Sequence, residues 1–439
     1  MLALADKFYP VVKHLMNRHL YSALLYLLSP LLLVYLSLRA FKSPDYRGRW
    51  GERFGLSKLN SSQVLIHSVS MGETLAAIPL IKALMKAHPE WHFTVTTTSP
   101  TGSVQVRKAF GDTVQHCYLP FDLPFSVKRF LKQLKPELCI IMETELWPNL
   151  VHQAHKRGCK LVLANGRLSQ KSADKYANYP KLNRPMLQSL DVIAVQTQAE
   201  AERFIALGVD ARRVQVCGSL KFDLQIDDAK RQQARVLRQQ WQRTVEPVWV
   251  AGSVHPGEFG AILTAHKHIL ARFPKALLIM APRHPEQFEL AASTVSQAGL
   301  QLARRSTEQK MSADTQVLLG DTMGELLMLY GCGDQAFVGG TLIENGGHNP
   351  LEPAAMGLSV CVGPHHWDFT QITQLLVEAG GLTVVDSAET LAAHLLSLFE
   401  QADLAQQASK AAIAVVEENR GALVKQLAVI ERYGSSVAN

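Results

Sequence analysis

Short apolar runs alternate with longer amphipathic stretches along most of the chain from Val64 onward. Runs this short and this uniformly apolar are typical of parallel strands that are buried on both faces. Helices must connect such strands, so the pattern predicts an α/β protein. The runs fall into two series: VLIH, FTVTTT, LCIIM, KLVLAN, VIAVQT and RVQVCG, and then VWVAGS, ALLIMAPRH, QVLLGD, QAFVGG, LSVCVG and LTVVDS.

A polar stretch separates the two series. From Asp227 to Arg243 the sequence is helical in pattern and rich in Gln and Arg, which indicates a linker and the start of a second domain. The chain has 439 residues. At roughly 150 residues per domain, that length accommodates two domains and a shorter extra part. We therefore predict two Rossmann-like domains, over residues 41–225 and 226–439, that face one another across a cleft.

The N-terminal segment, residues 1–40, has a different character. No formal charge occurs between Leu20 and Leu38. A helix over this stretch would be about 28 Å long, just enough to cross the apolar core of a bilayer. The run is longer than the apolar part of a secretory signal and lacks a following cleavage site, which favours a retained anchor. Because Pro30 interrupts the run, a kinked span, an in-plane helix and a buried core helix all stay open.

Positive charge follows the apolar segment. Between Arg39 and Arg53 there are five basic residues against two acidic ones, and aromatic residues lie among them. The excess of basic residues on this side of the apolar segment favours a cytoplasmic globular body. The mixture of basic and aromatic residues suits contact with anionic headgroups. A solvated basic linker is the alternative. The whole chain carries +7, a sign that is compatible with nucleic acid, a membrane surface or acidic substrates.

Composition and missing motifs exclude several classes of protein. With 47% apolar and 19% charged residues, the chain is not disordered. Its six cysteines lack disulfide or zinc spacing, and the adjacent His365 and His366 have no partners at ligand spacing. The sequence contains no serine-hydrolase elbow and no nucleic-acid-binding pattern. We therefore predict neither a metal, nor a cofactor, nor a nucleic-acid partner.

Two turns of the first domain place carboxylates directly after predicted strands. In HSVSMGE, Glu73 lies at the start of a helix, whose dipole favours the ionised form that accepts a proton. An ordinary helix-start glutamate is the alternative. In ETELWPN, Glu143 and Glu145 suit acceptor binding or site shaping, and a structural pairing is equally compatible with the pattern. Ligands of open α/β sheets bind at this end of the strands.

Turns of the second domain follow predicted strands in the same way. In AGSVHPGE, Gly252 and Ser253 are small enough for backbone N–H groups to approach a phosphate. In APRHPE, Arg283 is held between Pro282 and Pro285. A rigidly placed guanidinium suits a phosphate or a carboxylate, so these two turns indicate an anion site.

Two further turns complete this candidate nucleotide site. In GDTMGE, Met323 and Gly324 can contact a base or a ribose. The glycine-rich run GGTLIENGGHNPLEPAAMG leads through Asn349 and Pro350 into a helix that carries Glu352. N–H groups at the start of a helix can hold a phosphate, while a first-turn carboxylate accepts ribose hydroxyls. Each turn alone is weak evidence, and four at one end of a sheet favour a nucleotide ligand.

Several segments together resemble one known family. They are RGRWGERFG, HSVSMGE, LPFDLPFSVKRFLKQLKPE, ETELWPN, NGRLS, GSLKFD, AGSVHPGE, PRHPE and GGHNPLEPAAMG. The sequence resembles the bacterial 3-deoxy-D-manno-octulosonic acid (Kdo) transferases of lipid A biosynthesis, and the likeness runs through nearly the whole chain.

The resemblance implies a fold and a reaction. The implied fold is GT-B, with an N-terminal membrane-anchor helix, an acceptor-binding first domain, a second domain that binds the CMP-sugar, and a last helical stretch after Leu404 that returns to the first domain. The implied reaction is an inverting transfer of Kdo from CMP-Kdo to the tetraacylated lipid A precursor, lipid IVA. The implied location is the cytoplasmic face of the inner membrane.

The resemblance also assigns roles to residues of this chain. By motif, Glu73 takes the place of the catalytic base. Because the leaving CMP carries a single phosphate, Arg283 and backbone amides are expected to stabilise it without a divalent ion. The positions implied to bind CMP are Pro282, Arg283, Met323, Gly324, Glu325, Asn349, Pro350, Leu351 and Glu352.

Other functions stay open as alternatives. One is another membrane-associated GT-B enzyme that uses a UDP-sugar, or a nucleotide-sugar epimerase. Such an enzyme would bind diphosphate nucleotides more tightly than CMP. The other is a non-catalytic nucleotide-binding module tethered to the membrane, for which Glu73 would be dispensable.

Overall fold

The chain forms two compact units in a computed structural model. The first unit comprises Met1–Asp223 and Arg420–Asn439, and the second comprises Leu224–Asn419. The structure describes residues 15–224, 226, 228–307 and 311–434. The predicted boundaries at residues 40 and 225 stay a prediction, and residues 1–14 of the predicted anchor segment lie outside the described residues.

The first unit is built on a sheet of seven parallel strands. Its order is β3-β2-β1-β4-β5-β6-β7. Pairing is in register from Val64 opposite Phe93 on one side and from Val64 opposite Leu138 on the other. The strands are β1 (Val64–His67), β2 (Phe93–Thr97), β3 (Gln115–Tyr118), β4 (Leu138–Met142), β5 (Lys160–Gly166), β6 (Val192–Val195) and β7 (Val214–Val216).

Helices cover both faces of this sheet. Alternate residues of each strand enter different apolar clusters, as in β1, where Leu65 joins one cluster and Val64 and Ile66 join the other. The helices are α1 (Arg18–Lys42), α2 (Trp50–Arg53), α3 (Met71–Ala87), α4 (Pro100–Phe110), α5 (Pro124–Leu134), α6 (Pro148–His155), α7 (Gln170–Ala177), α8 (Pro180–Gln188) and α9 (Gln198–Ala206). Helices α3 and α4 pack on one face, and α5 and α6 pack on the opposite face.

The second unit repeats the architecture. Its parallel sheet has the order β10-β11-β9-β8-β12-β13-β14. The strands are β8 (Val248–Val254), β9 (Leu277–Pro282), β10 (Leu302–Arg304), β11 (Val317–Leu319), β12 (Gln335–Val338), β13 (Ser359–Val362) and β14 (Leu382–Val384). The helices are α10 (Asp228–Gln240), α11 (Pro256–Arg272), α12 (Phe288–Gln297), α13 (Leu326–Gly331), α14 (Leu351–Ala355), α15 (Thr370–Glu378), α16 (Ala388–Glu400) and α17 (Ala402–Glu418).

The last helix, α18 (Ala422–Gly434), packs on the first unit. Asp223 accepts the backbone N–H groups of Gly421 and Leu423, at 2.7 and 2.5 Å, and so caps the start of the helix. Further along, the buried Gln426 accepts the N–H of Asn165 at 2.7 Å and donates to the carbonyl of Gly218 at 3.2 Å. Helix α18 therefore contacts the carboxyl ends of β5 and β7 through Gln426.

Candidate active site

The strand order of the first sheet reverses between β1 and β4, which is the topological switch point of the sheet. Strands β2 and β3 extend from one side of this pair, and β5, β6 and β7 extend from the other. Loops that leave two adjacent strands at such a switch point diverge, which opens a crevice at the carboxyl edge. The turn with Glu73 follows β1, and the turn with Glu143 and Glu145 follows β4. The fold therefore brings the two carboxylate turns of the first domain to one crevice.

Glu73 is held in place by its own turn. Ser70 is the N-cap of α3, and its hydroxyl oxygen accepts the backbone N–H of Glu73 at 3.3 Å. In return, the Glu73 carboxylate accepts the Val69 N–H at 2.8 Å through Oε2 and the Ser70 hydroxyl at 3.1 Å through Oε1. This arrangement differs from a capping box in one bond, because Glu73 accepts the N–H of Val69 instead of that of the N-cap residue Ser70. It fixes the carboxylate at the mouth of the crevice.

The crevice favours the protonated form of this carboxylate. Burial raises the pKa of Glu73 to about 7, and the Val69 N–H opposes that rise, while the negative charges of Glu143 and Glu145 add to it. Burial and the charge of Glu143 also raise the pKa of Glu145. A carboxyl group with a pKa near neutrality can both take up and release a proton under cellular conditions.

Arg53, which belongs to the basic stretch that was predicted to face the membrane, is buried in the first unit. Arg53 is 6% exposed, and its guanidinium lies 4.2 Å from the ring centre of Tyr118. It donates to the carbonyl of Thr98 at 2.9 Å, and Thr98 donates its hydroxyl to the carbonyl of Val69 at 3.1 Å. A buried cation therefore reaches the same edge of the sheet as Glu73. The expectation that the whole basic stretch faces a membrane is wrong for Arg53.

The second sheet has its own switch point, between β8 and β12. The glycine-rich loop that follows β12 folds over the fully buried carboxylate of Glu258. This carboxylate accepts the backbone N–H groups of Gly340, Thr341 and Leu342, at 2.8, 3.0 and 3.0 Å. A side chain at Gly339 would lie 2.5 Å from the carbonyl of Ser253, so glycine is required there. Glu258 was not predicted as a site residue, although its position in the first turn of α11 indicates a cap.

Arg283 and the Asn349–Glu352 turn come together at this switch point. The backbone N–H of Arg283 donates to the carbonyl of Val254 at 3.0 Å, which places the residue at the ends of β8 and β9. Burial raises the pKa of Glu352, and the positive charge of Arg283 and a hydrogen bond from Asn349 oppose that rise. The side chain of Asn349 also accepts the Leu351 N–H at 3.1 Å. A cation and a buried carboxylate thus share one edge of the second sheet.

Two histidines line the same edge. His255 Nε2 and His348 Nε2 are 2.9 Å apart, and the rings stack at 5.2 Å between centres. Burial lowers the pKa of both, to about 3 for His348, and the charge of Arg283 contributes. Both rings are therefore neutral at pH 7, and one nitrogen donates to the other. Arg283, and not either of these two histidines, is therefore the cation at this edge.

The Met323–Glu325 turn lies one strand further out, after β11. Glu325 accepts from Arg305 Nη2 at 3.0 Å and from the Thr322 hydroxyl. Gly324 has a φ of 86°, a backbone conformation that is strained for residues with a side chain. Met323 is exposed. The turn shares the carboxyl edge with Arg283, so the predicted CMP positions follow three strands of the second sheet: β9, β11 and, through the glycine-rich loop, β12. The described residues contain no group of three or more His, Cys, Asp or Glu side chains that could hold a metal ion.

The fold defines the class. A UDP-GlcNAc 2-epimerase from Neisseria meningitidis matches with a TM-score of 0.56 at 13% identity, over 86% of this chain and 100% of that one. A glycosyltransferase from Rickettsia africae matches with a TM-score of 0.51 at 15% identity, over 87% of this chain and 100% of that one. Two parallel α/β units and these neighbours define a protein with a GT-B-type fold.

The sequence comparisons define the family within that class. The family described as 3-deoxy-D-manno-octulosonic-acid transferase matches residues 48–224. The Kdo transferase of Haemophilus influenzae is 41% identical over 95% of this chain and 99% of its own length. That of Bordetella pertussis is 33% identical over 95% and 100%. The chain belongs to the Kdo transferase family, and it is a glycosyltransferase.

Proposed function

We propose that this glycosyltransferase moves Kdo from CMP-Kdo to lipid IVA with inversion at the anomeric carbon, and that Glu73 is the general base. The observation that carries the proposal is the carboxylate of Glu73, fixed at the switch point with its pKa raised to about 7. The acceptor is a sugar hydroxyl, which attacks well only if a base removes its proton as the new bond forms. Direct attack opposite the leaving CMP inverts the configuration.

The second unit supplies what the donor requires. Kdo carries a carboxylate, and the departing CMP carries a phosphate, so the donor site must hold negative charge. Arg283, and not His255 or His348, is the cation at this edge, because both histidines are neutral there. We assign the carboxylate of Glu352 to the hydroxyls of the ribose. We therefore assign the nucleotide to the Pro282–Arg283, Met323–Glu325 and Asn349–Glu352 turns, and the acceptor to the first unit.

A panel of nucleotides tests the donor assignment. We expect CMP to raise the melting temperature of the purified protein more than UDP does at equal concentration, since binding to the folded state stabilises it by mass action. The anomeric configuration of the product, read by NMR, tests the inversion. Tighter binding of UDP would favour the UDP-sugar alternative, and a product with the configuration of the donor would contradict direct displacement.

The rate of transfer is expected to rise with pH through an apparent pKa near 7, because only ionised Glu73 accepts a proton. The variant Glu143→Gln removes a neighbouring negative charge, which favours the protonated form of Glu73. Its loss is expected to lower the pKa of Glu73 and so to move the rising limb of the pH profile to lower pH. Profiles of kcat against pH for both proteins provide the measurement. A limb that Glu143→Gln leaves in place would show that Glu143 does not act on the titrating group.

We also propose that the protein is attached to the cytoplasmic face of the inner membrane through α1. In the part of the chain that the structure describes, Arg18–Phe41 is long and apolar enough to cross a membrane, with a mean hydropathy of 1.8 in its best window. Most of its leucines are exposed. An exposed apolar helix is stabilised by lipid, and lipid IVA is itself a membrane lipid, so attachment brings enzyme and acceptor together.

Deleting residues 1–38 is expected to move the protein from the membrane to the soluble fraction with both units folded. The four apolar clusters on the faces of the two sheets contain no buried residue from residues 15–38, the part of this segment that the structure describes. Fractionation and circular dichroism of the truncated protein provide the measurement. Aggregation with loss of helical signal would show that the segment belongs to the core.

A further inference from the structure

Helix α1 is held against the first unit at its beginning. Arg18 Nη1 and the hydroxyl of Ser22 both donate to Asn149 Oδ1, at 3.3 and 3.0 Å. The hydroxyl of Tyr21 forms a hydrogen bond with the buried carboxylate of Asp122. Asp122 and Asn149 are bonded to each other through the Asn149 N–H, at 2.8 Å. Ser22, Asp122 and Asn149 are buried, so the start of α1 is docked by specific hydrogen bonds.

The contact continues along the helix. Tyr26 accepts the backbone N–H of Phe125 with its hydroxyl oxygen at 3.1 Å, and Leu36, near the other end, is 1% exposed. Residues at the spacing of one helical face are less exposed than their neighbours over about 27 Å of helix. They are Arg18, Ser22, Leu25, Ser29, Leu32 and Leu36. This side of α1 is therefore its less exposed side, and hydrogen bonds hold it to the first unit between Arg18 and Tyr26.

The opposite side of α1 presents leucines. They are Leu20, Leu24, Leu27, Leu31 and Leu38, which share a second helical face and are 37–74% exposed. A helix that crosses a bilayer is surrounded by lipid at its middle and has its two ends in water on opposite sides. Crossing would therefore break the hydrogen bonds of Ser22 and Tyr26, or draw folded protein into the apolar layer.

A basic surface begins beside α1. The exposed side chains of α5 lie on one helical face, and they are Phe125, Lys128, Arg129 and Lys132. We call this set the α5 basic face. It begins at α1, because Phe125 donates to Tyr26, and α5 contains no acidic residue that would offset its cations. An exposed aromatic side chain followed by cations complements the boundary between acyl chains and anionic headgroups.

We propose that α1 lies in the plane of the membrane, with its leucine face in the acyl boundary, and that the α5 basic face binds the anionic headgroups of the bilayer beside it. The proposal rests on the membrane attachment proposed above and specifies its geometry. Helices α5 and α6 begin at the carboxyl edge of the sheet, after β3 and β4. The docked start of α1 thus holds the edge that carries Glu73 and Glu145 close to the lipid surface, from which a lipid acceptor arrives.

Cysteine labelling tests whether both ends of α1 lie on one side of the membrane. All six native cysteines are buried, which keeps background labelling low. His19→Cys and Asp45→Cys place a single exposed thiol at either end of α1. We expect a membrane-impermeant maleimide to label neither variant in intact spheroplasts and both after permeabilisation. Labelling of one end in intact spheroplasts would overturn the in-plane arrangement while leaving attachment intact, and loss of the protein from the membrane fraction would overturn both.

Vesicle binding tests the α5 basic face. Each cation near an anionic surface contributes about fivefold to binding. The triple variant Lys128→Gln, Arg129→Gln, Lys132→Gln is therefore expected to bind phosphatidylglycerol-containing vesicles without acceptor roughly 100-fold more weakly. Binding to neutral vesicles should be unchanged. The matched control removes the same charge from the opposite face of the sheet, at exposed positions of α3 and α4. It is Lys82→Gln, Lys86→Gln, Lys108→Gln.

The two triple variants distinguish a headgroup surface from other roles of the same cations. The control is expected to bind anionic vesicles within about twofold of the wild type. Equal losses in both variants would indicate a general effect of net charge and would overturn the proposal. Unchanged vesicle binding with a raised KM for lipid IVA would assign the α5 basic face to the acceptor instead, and would overturn it as well.

Discussion

Replacing Glu73 with alanine is expected to lower kcat for Kdo transfer by about 10²- to 10⁴-fold, the range that general bases contribute. The acceptor hydroxyl would then have to lose its proton to water. Binding of CMP should be nearly unchanged, because the predicted nucleotide turns belong to the second unit and Glu73 belongs to the first. Transfer assays and calorimetric titration with CMP provide the two measurements.

The chain offers a matched control for this variant. Glu200 also closes a reciprocal cap at the start of a helix that follows a strand of the first sheet, and burial raises its pKa as well. Glu200→Gln keeps the shape of the cap and is expected to retain transfer within a few-fold. Glu73→Gln preserves the acceptor for the Val69 N–H, and its loss of activity would separate the missing proton acceptor from a damaged turn. Near wild-type transfer by Glu73→Ala would end the assignment.

Replacing Arg283 with alanine is expected to weaken binding of CMP and CMP-Kdo by roughly 10- to 100-fold. Hydrogen bonds to a charged group contribute about 1.5–3 kcal/mol, and the neighbouring His255 and His348 are neutral and cannot take over the charge. The loss should be larger for CMP than for cytidine, which has no phosphate. Isothermal titration with both ligands provides the measurement.

Arg272→Ala is the matched control for this effect. Arg272 lies in the same unit, is largely exposed and pairs with Glu400 at 2.8 Å, away from the switch point of the sheet. A surface ion pair of this kind contributes little to stability, so the variant should bind CMP as the wild type does. If Arg283→Ala also binds CMP with unchanged affinity, the guanidinium does not contact the phosphate.

The strand pattern of the fold was predictable wherever strands are buried on both faces. Each apolar run in the sequence became a strand, from VLIH at β1 to LTVVDS at β14. The two strands that the pattern missed, β3 with QHCY and β10 with LAR, lie at the edges of their sheets. Edge strands have one neighbour and tolerate polar side chains, so an edge strand can lack the apolar signal. The other two edge strands, β7 and β14, kept enough apolar residues to be predicted. The prediction of two wound α/β domains is confirmed.

The site residues that directly follow strands were predictable from the sequence. Buried residues that support the site from inside the unit were less predictable. Glu73 was predictable because its turn lies directly after a buried strand and at the start of a helix. Glu258 was missed because its carboxylate supports the backbone of the glycine-rich loop from inside the unit. Arg53 was placed at the membrane because a local charge count does not register that Tyr118 and Thr98 enclose it. Long-range packing decides both cases.

Mass spectrometry of the acceptor tests the central claim most directly. The purified chain is incubated with lipid IVA and CMP-Kdo, and in parallel with UDP-sugars, and the same reactions are run with Glu73→Gln. We predict that lipid IVA gains the mass of one or more Kdo residues only with CMP-Kdo and only with the wild-type protein. Unmodified lipid IVA after incubation with the folded wild-type protein and CMP-Kdo would contradict the account. Full modification of lipid IVA by Glu73→Gln would contradict it as well.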